Sequence, residues 1–405
     1  MVYFEANIFG ILREKGVISM KKIFGKYLIV CLLAVIGQIF ASVGGVIGIV
    51  SPRLMYDGRP ILWQNLDSDS ADVYIKFFKG ERYNFFGLMN GEDTSRVYGG
   101  LNTAGFAIVF STFASSSDKS LNMESVFIRQ ALGICGRLED FSKLLDSTEI
   151  SIGTNSSFAC MDVYGAHKLF ESGVTMRDPF DLKKVPPGFL VRANFHFTNP
   201  QVADKSYWRY HRSEALFASE SAHKKLHNHI IMKQIARDMA SIAVDPGSLS
   251  SDGQASAPPA GFIRTEHSVN QYNTVSCLVI QGVRPGENPD FSTMWVILGE
   301  PICGVAIPLW PATSQVPLEC QLSEFSLNAF FQEQKSNVYY LTNMPRSVDT
   351  NALLALRSRM DQIENSVFVE TRKALARWRE QSSYLQDMID FQMTTAAFVY
   401  RSLKE

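Results

Sequence analysis

Few side chains in this sequence are spaced for chemistry, and Ser42 is the first of them. A basic start at Met20-Lys21-Lys22, an apolar run over Tyr27–Phe40 and a small residue at Ala41 make 1–41 read as a secretory signal peptide, with Met20 the better start. The apolar run is too short and too poorly flanked to span a membrane stably. Cleavage after Ala41 would leave a serine hydroxyl and a free α-amine on one residue, just ahead of a strand-like run. Chemistry at a new N-terminus is therefore expected, with export to the periplasm or the extracellular space.

Other constellations lead elsewhere. His223, His227 and His229 stand in HKKLHNH, and the first two would share a helix face at i, i+4 spacing. Lys224 occupies the place where a zinc-binding HExxH helix carries glutamate, so a solvated polar face is expected and no metal. Cys135, Cys160, Cys277, Cys303 and Cys320 are widely scattered, without CxxC spacing or a disulfide framework. An odd number leaves at least one free thiol, expected as a small buried hydrophobe. No GxSxG elbow, phosphate loop or dinucleotide fingerprint appears, and no cofactor is expected. The net charge of −1, without long blocks of either sign, implies neither nucleic acid nor an anionic membrane as partner. A homo-oligomer is left open.

The elements that must position such residues come in blocks. Val46–Val50 and Ile61–Trp63 are strand-like runs joined across Asp57-Gly58, a type I′ hairpin signal, and their weak alternation implies cover on both faces. A second hairpin is expected at 73–78 and 83–88, a tight turn at 99–105 before a strand at 106–110, and helices at 121–134 and 138–145. A hairpin at 157–171 and a strand at 188–194 follow, then helices at 206–219 and 224–242. The segment 245–260, DPGSLSSDGQASAPPA, reads as a mobile loop. Strands return at 274–283, 293–298 and 304–308, and the tail from Asn351 to Lys404 reads as helical with a stripe of Ile363, Val367, Leu375 and Trp378. Such blocks argue for a layered α+β fold in one domain, 42–405.

The words DGRPILWQNLD (57–67), GGLNTAGFAI (99–108), PPGFLVRANFHFTN (186–199), RYHRSEALF (209–217) and VIQGVRPGENPDFSTMWVILGEP (279–301) occur in an order that resembles the acyl-coenzyme A:isopenicillin-N acyltransferase-like, or linear amide C–N hydrolase, family, related to choloylglycine hydrolases. The resemblance implies an N-terminal-nucleophile (Ntn) hydrolase with a four-layer αββα sandwich of two antiparallel sheets. It also implies attack on a linear amide of an acyl or small peptide-like substrate by an N-terminal cysteine. That residue's own α-amine, with an ordinary pKa of about 8, is the base.

The chain departs from the family at this point. The family's hairpin length, counted back from Asp57, lands on Gly45, and the nearest hydroxyl upstream is Ser42. Three extra hairpin residues would make Ser42 the nucleophile; otherwise it is a small residue after a cleavage site. Gln64 stands where many relatives carry a basic residue, and Phe110 near where some carry an oxyanion asparagine. Asp67 matches the acid that orients the α-amine, against a plain role as a strand-end turn residue. Asn194 matches the asparagine that holds the oxyanion, and Arg209 and Arg212 match an R-x-x-R word beside the catalytic site, against ordinary ion pairs. Asn102 with Gly105 reads as turn chemistry, and Glu287 as a turn residue. Two functions stay open: an exported amidase or acyltransferase, and a binding or structural protein that has lost its nucleophile.

Overall fold

The computed structural model describes residues 43–112, 123–147, 156–171, 180–194, 205–223, 225–240, 260–342 and 346–405. Ser42, the signal segment and residues 245–259 of the expected loop lie outside the described residues.

Strands β1 (Gly44–Val50) and β2 (Ile61–Asp67) are buried along their whole length, as their weak alternation implies. They pair antiparallel in one unbroken register, from Gly44 opposite Asp67 to Val50 opposite Ile61. The expected type I′ turn at Asp57-Gly58 does not form. Gly58 has φ +66° but Asp57 does not share it, and the connection of residues 51–60 runs through a 3₁₀ turn at Pro52–Leu54. Ser51 caps that turn, while the Asp57 carboxylate accepts from Arg59 and Gln281. Long-range partners have outcompeted the local turn propensity.

The chain then builds a seven-stranded meander from β3 (Val73–Phe78), β4 (Phe85–Asn90), β5 (Gly99–Asn102), β6 (Ala107–Thr112), β7 (Ser156–Met161), β8 (His167–Glu171) and β9 (Phe180–Asp181). The expected turn at 99–105 is thus a short strand followed by a turn. In that turn Asn102 accepts from the backbone of Ala104 and Phe106 and donates to the carbonyls of Leu132 and Cys135, which is structural turn chemistry. Helices α1 (Glu124–Ile134) and α2 (Leu138–Ser147) intervene between β6 and β7 and cover this sheet. Phe127 and Phe141 from the helices meet Phe106, Phe158 and Phe170 from the sheet side at ring separations of 5.0 to 6.1 Å. Such offset and edge contacts add to the burial of large apolar rings.

Strand β10 (Phe189–Arg192) returns to pair with β1, and α3 (Lys205–His223) follows. The expected helix at 224–242 is mostly not one. His227 is extended, and among the described residues of this span only Asn228–Ile230 and a π turn at Ile231–Ile235 are helical. The reason is the loop 51–60: Leu226 donates to the Leu54 carbonyl and accepts from Tyr56, so its backbone is spent on a bridge and not on a helix. His223 and His227 therefore do not share a helix face.

After β11 (Phe262–Arg264), strands β12 (Thr274–Gln281), β13 (Thr293–Leu298) and β14 (Ile307–Leu309) complete a six-stranded sheet in the order β10-β1-β2-β12-β13-β14. Helix α4 (Leu327–Val338), a ribbon strand β15 (Ser347–Asp349) paired with β11, and helices α5 (Thr350–Glu380) and α6 (Leu385–Lys404) end the chain. The helical tail is thus two helices, broken at 381–384. β1 and β2 face β6 and β7 of the other sheet, while α4 and α6 pack on β13 and β14. With α1 and α2 beyond the meander, the layers run helix, sheet, sheet, helix: the αββα sandwich expected. All five described cysteines are free and buried.

Candidate active site at the start of the first strand

The residues that the sequence singles out converge where β1 begins. Asp67, the last residue of β2, lies opposite Gly44 and is buried. Four donors reach its carboxylate. Arg209 on α3 gives one through Nη1 and another through Nη2 at 3.3 Å, Gln271 Nε2 donates at 2.8 Å and Thr274 Oγ1 at 2.7 Å. A carboxylate offers about four lone-pair sites, so Asp67 is full. Arg209 is equally committed, donating through Nε to the Ser268 carbonyl at 2.9 Å and through Nη2 to that of Val269 at 3.0 Å. The pair is buried on both sides, at 3% and 5% side-chain exposure, and only this complete set of partners makes such burial tolerable.

Asn194 completes the cluster. Its Oδ1 accepts from Arg209 Nη1 at 3.3 Å and its Nδ2 donates to the Thr112 carbonyl at 3.1 Å. Arg212, one helical turn further along α3, turns away: its Nε and Nη2 donate to Asp238 at 2.8 and 2.6 Å. Structure thus joins Asp67, Asn194 and Arg209 and leaves Arg212 in a separate ion pair. Gln64 is buried and donates to the Phe110 carbonyl at 2.7 Å, so no positive charge stands there. Glu287 serves a turn, accepting from the Arg284 backbone and from Arg59 Nε, each at 3.0 Å.

The space in front of these donors contains no side chain from β1. A Cβ on Gly44 would lie 1.9 Å from Asn194 Nδ2. Gly45 has φ +135°, and a Cβ there would lie 2.0 Å from the Asn65 carbonyl oxygen. This position, where the family's hairpin length puts the nucleophile, accepts glycine alone. The unbroken register between β1 and β2 contains no bulge that would absorb extra residues. Two described hydroxyls beside the strand are spent on it: Ser111 donates to the Gly45 carbonyl at 2.8 Å, and Thr112 to that of Val43. The thiols offer no substitute among the described residues. Burial pushes Cys135 and Cys277 up to about 12, and Cys160, Cys303 and Cys320 upward as well, against the thiolate that attack requires. Gln271, Thr274 and the carbonyls of 268 and 269 escaped the sequence reading, since no local pattern marks a partner some 200 positions away.

No family model matches the chain, and no curated protein matches it. Among solved structures it is similar to the penicillin V acylase of Agrobacterium tumefaciens, at 10% identity and TM-score 0.39, over 65% of this chain and 86% of that one. A conjugated bile acid hydrolase from Clostridium perfringens is 13% identical, with TM-score 0.41 over 65% of this chain and 92% of its own. The Caenorhabditis elegans ortholog of N-acylethanolamine-hydrolyzing acid amidase is 15% identical, with TM-score 0.28 over 44% and 86%.

Proposed function

We propose that the chain is an exported protein on the Ntn amide-hydrolase plan that works by binding a linear amide or small peptide-like ligand without cleaving it. The observation that carries the reading is Gly45. Its left-handed φ and the 2.0 Å approach to the Asn65 carbonyl leave no room for a nucleophile at the position to which the resemblance points. Two further features agree with it. Asp67 has no lone pair left to hold an α-amine, and Asn194 spends one of its two N–H groups on the Thr112 carbonyl. A sandwich core of this size does not depend on one terminal side chain, so loss of the nucleophile and retention of the fold are compatible.

A second reading has one observation in its favour. Asp67, Asn194 and Arg209 are assembled in contact beside the strand that Ser42 leads into, as an amidase or acyltransferase with a serine nucleophile would require. The test joins intact-mass analysis of the exported N-terminus with a panel of acyl amides assayed for released amine. The expected result is no amine release, whichever residue comes first. Amine release that disappears in Ser42→Ala, from a chain that begins at Ser42, overturns the binding reading and establishes the second.

A further inference from the structure

Lys and Arg number 39 and Asp and Glu 40, so the two signs are expected to mix over the surface of the folded chain. Where the chain enters β10, at the edge of the six-stranded sheet, they do not mix. Three separate segments meet there: the connection 51–60, the 3₁₀ turn at Leu182–Lys184 ahead of β10, and the residues around Leu226. Arg53 Nη2 donates to the Val185 carbonyl at 2.5 Å and to that of Pro186, and Lys225 Nζ donates to the Arg53 carbonyl. The Tyr56 N–H reaches the Leu226 carbonyl at 2.8 Å. Arg372 on α5 lines a cavity of about 170 Å³ together with Tyr56 and Leu226. These contacts gather Arg53, Lys183, Lys184, Lys225 and Arg372, all exposed.

Among the described residues no carboxylate forms an ion pair with any of the five. The carboxylates close to them are committed: Asp57 and Glu287 to Arg59, and Glu370 to Lys373. Asp181 accepts from the Lys183 backbone N–H at 2.9 Å, which caps the turn, and pairs with neither lysine ammonium. A net charge of −1 for the whole chain averages this face away.

The way the cations are held says what they fit. Arg53 and Lys225 spend donors on backbone carbonyls, so they offer positive charge more than an open fork for one phosphate or carboxylate. Charge without a grip complements an extended array of anions. Tyr56 stands among these cations with 71% exposure, its ring stacked on His227 at 4.5 Å. A tyrosine with an apolar body and a polar tip suits the depth of lipid headgroups.

We propose that this face docks on an anionic lipid bilayer, the five cations over the headgroups and Tyr56 among them. The contact is peripheral, since no described helix is long and apolar enough to cross a membrane. It is independent of the Asp67 cluster and of whether the chain cleaves amides.

The protein is sedimented with phosphatidylcholine vesicles, with and without phosphatidylglycerol, at low and at physiological ionic strength. Binding is expected only with phosphatidylglycerol and should weaken as salt screens the charges. Lys183→Gln with Lys184→Gln should weaken it about twentyfold or more, each cation near an anionic surface counting for about fivefold. Both side chains are exposed, so this variant should keep the parent Tm. Arg401→Gln with Lys404→Gln makes the same change in net charge on α6, which packs on β14 at the other edge of the sheet, and should bind as the parent does. No binding to phosphatidylglycerol, equal binding to phosphatidylcholine alone, or an equal effect of the two double variants would each overturn the proposal. Binding of dextran sulfate without binding of vesicles would overturn it too, and assign the face to a soluble polyanion.

Discussion

The two ends of β2 treat buried polar groups in opposite ways. At the Asp67 end, one carboxylate receives four donors, and the arginine that supplies two of them places its remaining N–H groups on the Asn194 side chain and two backbone carbonyls. At the other end, Trp295 Nε1, Thr371 Oγ1 and Arg379 Nε, in residues that line a cavity, are buried with no protein partner. A complete network lowers the energy of the folded chain. An incomplete one raises it. By this criterion the Asp67 cluster is a closed anchor of the fold, while the far end of the strand, about 20 Å away, holds polar groups without a protein partner.

The comparison is broken most severely through Arg209. Arg209→Met leaves Asp67 buried without its cation, and urea unfolding is expected to show a loss of about 3–5 kcal/mol. A loss below about 1 kcal/mol would mean that the cluster is dispensable, as expected of a catalytic site and not of scaffold. Gly45→Ala comes next. A Cβ at φ +135° against the Asn65 carbonyl should cost about 2–3 kcal/mol, read in the same unfolding assay. An alanine accepted without loss would show that the position has room for a side chain.

A smaller, pH-dependent effect comes from Glu364, two turns before Thr371 on α5. Burial pushes its carboxyl up, but Arg237, donating at 2.8 and 2.6 Å, with Arg357 nearby, brings it below the ordinary value of 4.5. A carboxyl whose folded pKa is depressed stabilises above its unfolded value, and that contribution is lost as pH falls through the folded one. Unfolding midpoints measured at successive pH values below 4.5 should therefore decline, and Glu364→Gln should flatten the decline. An unchanged slope in that variant would assign the acid sensitivity to another group. The smallest effect is expected at the cavity itself. Thr371→Val removes a hydroxyl that has no partner, and stability should change by less than about 1 kcal/mol or rise. A loss comparable to that of Arg209→Met would show that Thr371 is paired after all and erase the contrast between the two ends.

Much of the architecture is written locally. The strands at 44–50, 61–67, 274–281 and 293–298 do not alternate cleanly between apolar and polar residues, and each is buried along its whole length. Asn102 reads as a turn residue and is one, because its partners lie within four positions or on the helix packed behind it. Local propensity failed where distant backbone competed: Leu226 bridges to the loop 51–60, which removed both the type I′ turn and the helix expected over the histidines.

The candidate site divides along the same line. Asp67, Asn194, Arg209 and Arg212 stand out in the sequence through the words that surround them, and the structure joins the first three while Arg212 pairs with Asp238. What they do is not legible in the sequence. The Asp67 carboxylate is filled by residues 142, 204 and 207 positions away, and no spacing rule reaches that far. Whether a carboxylate is a base in waiting or a closed anchor depends on how many donors surround it. Sequence alone determined which polar residues enter the core. The packing of β1 against Asn194, and of α5 against Trp295, decided which of them are satisfied there, because hydrogen-bond partners are counted in space and not along the chain.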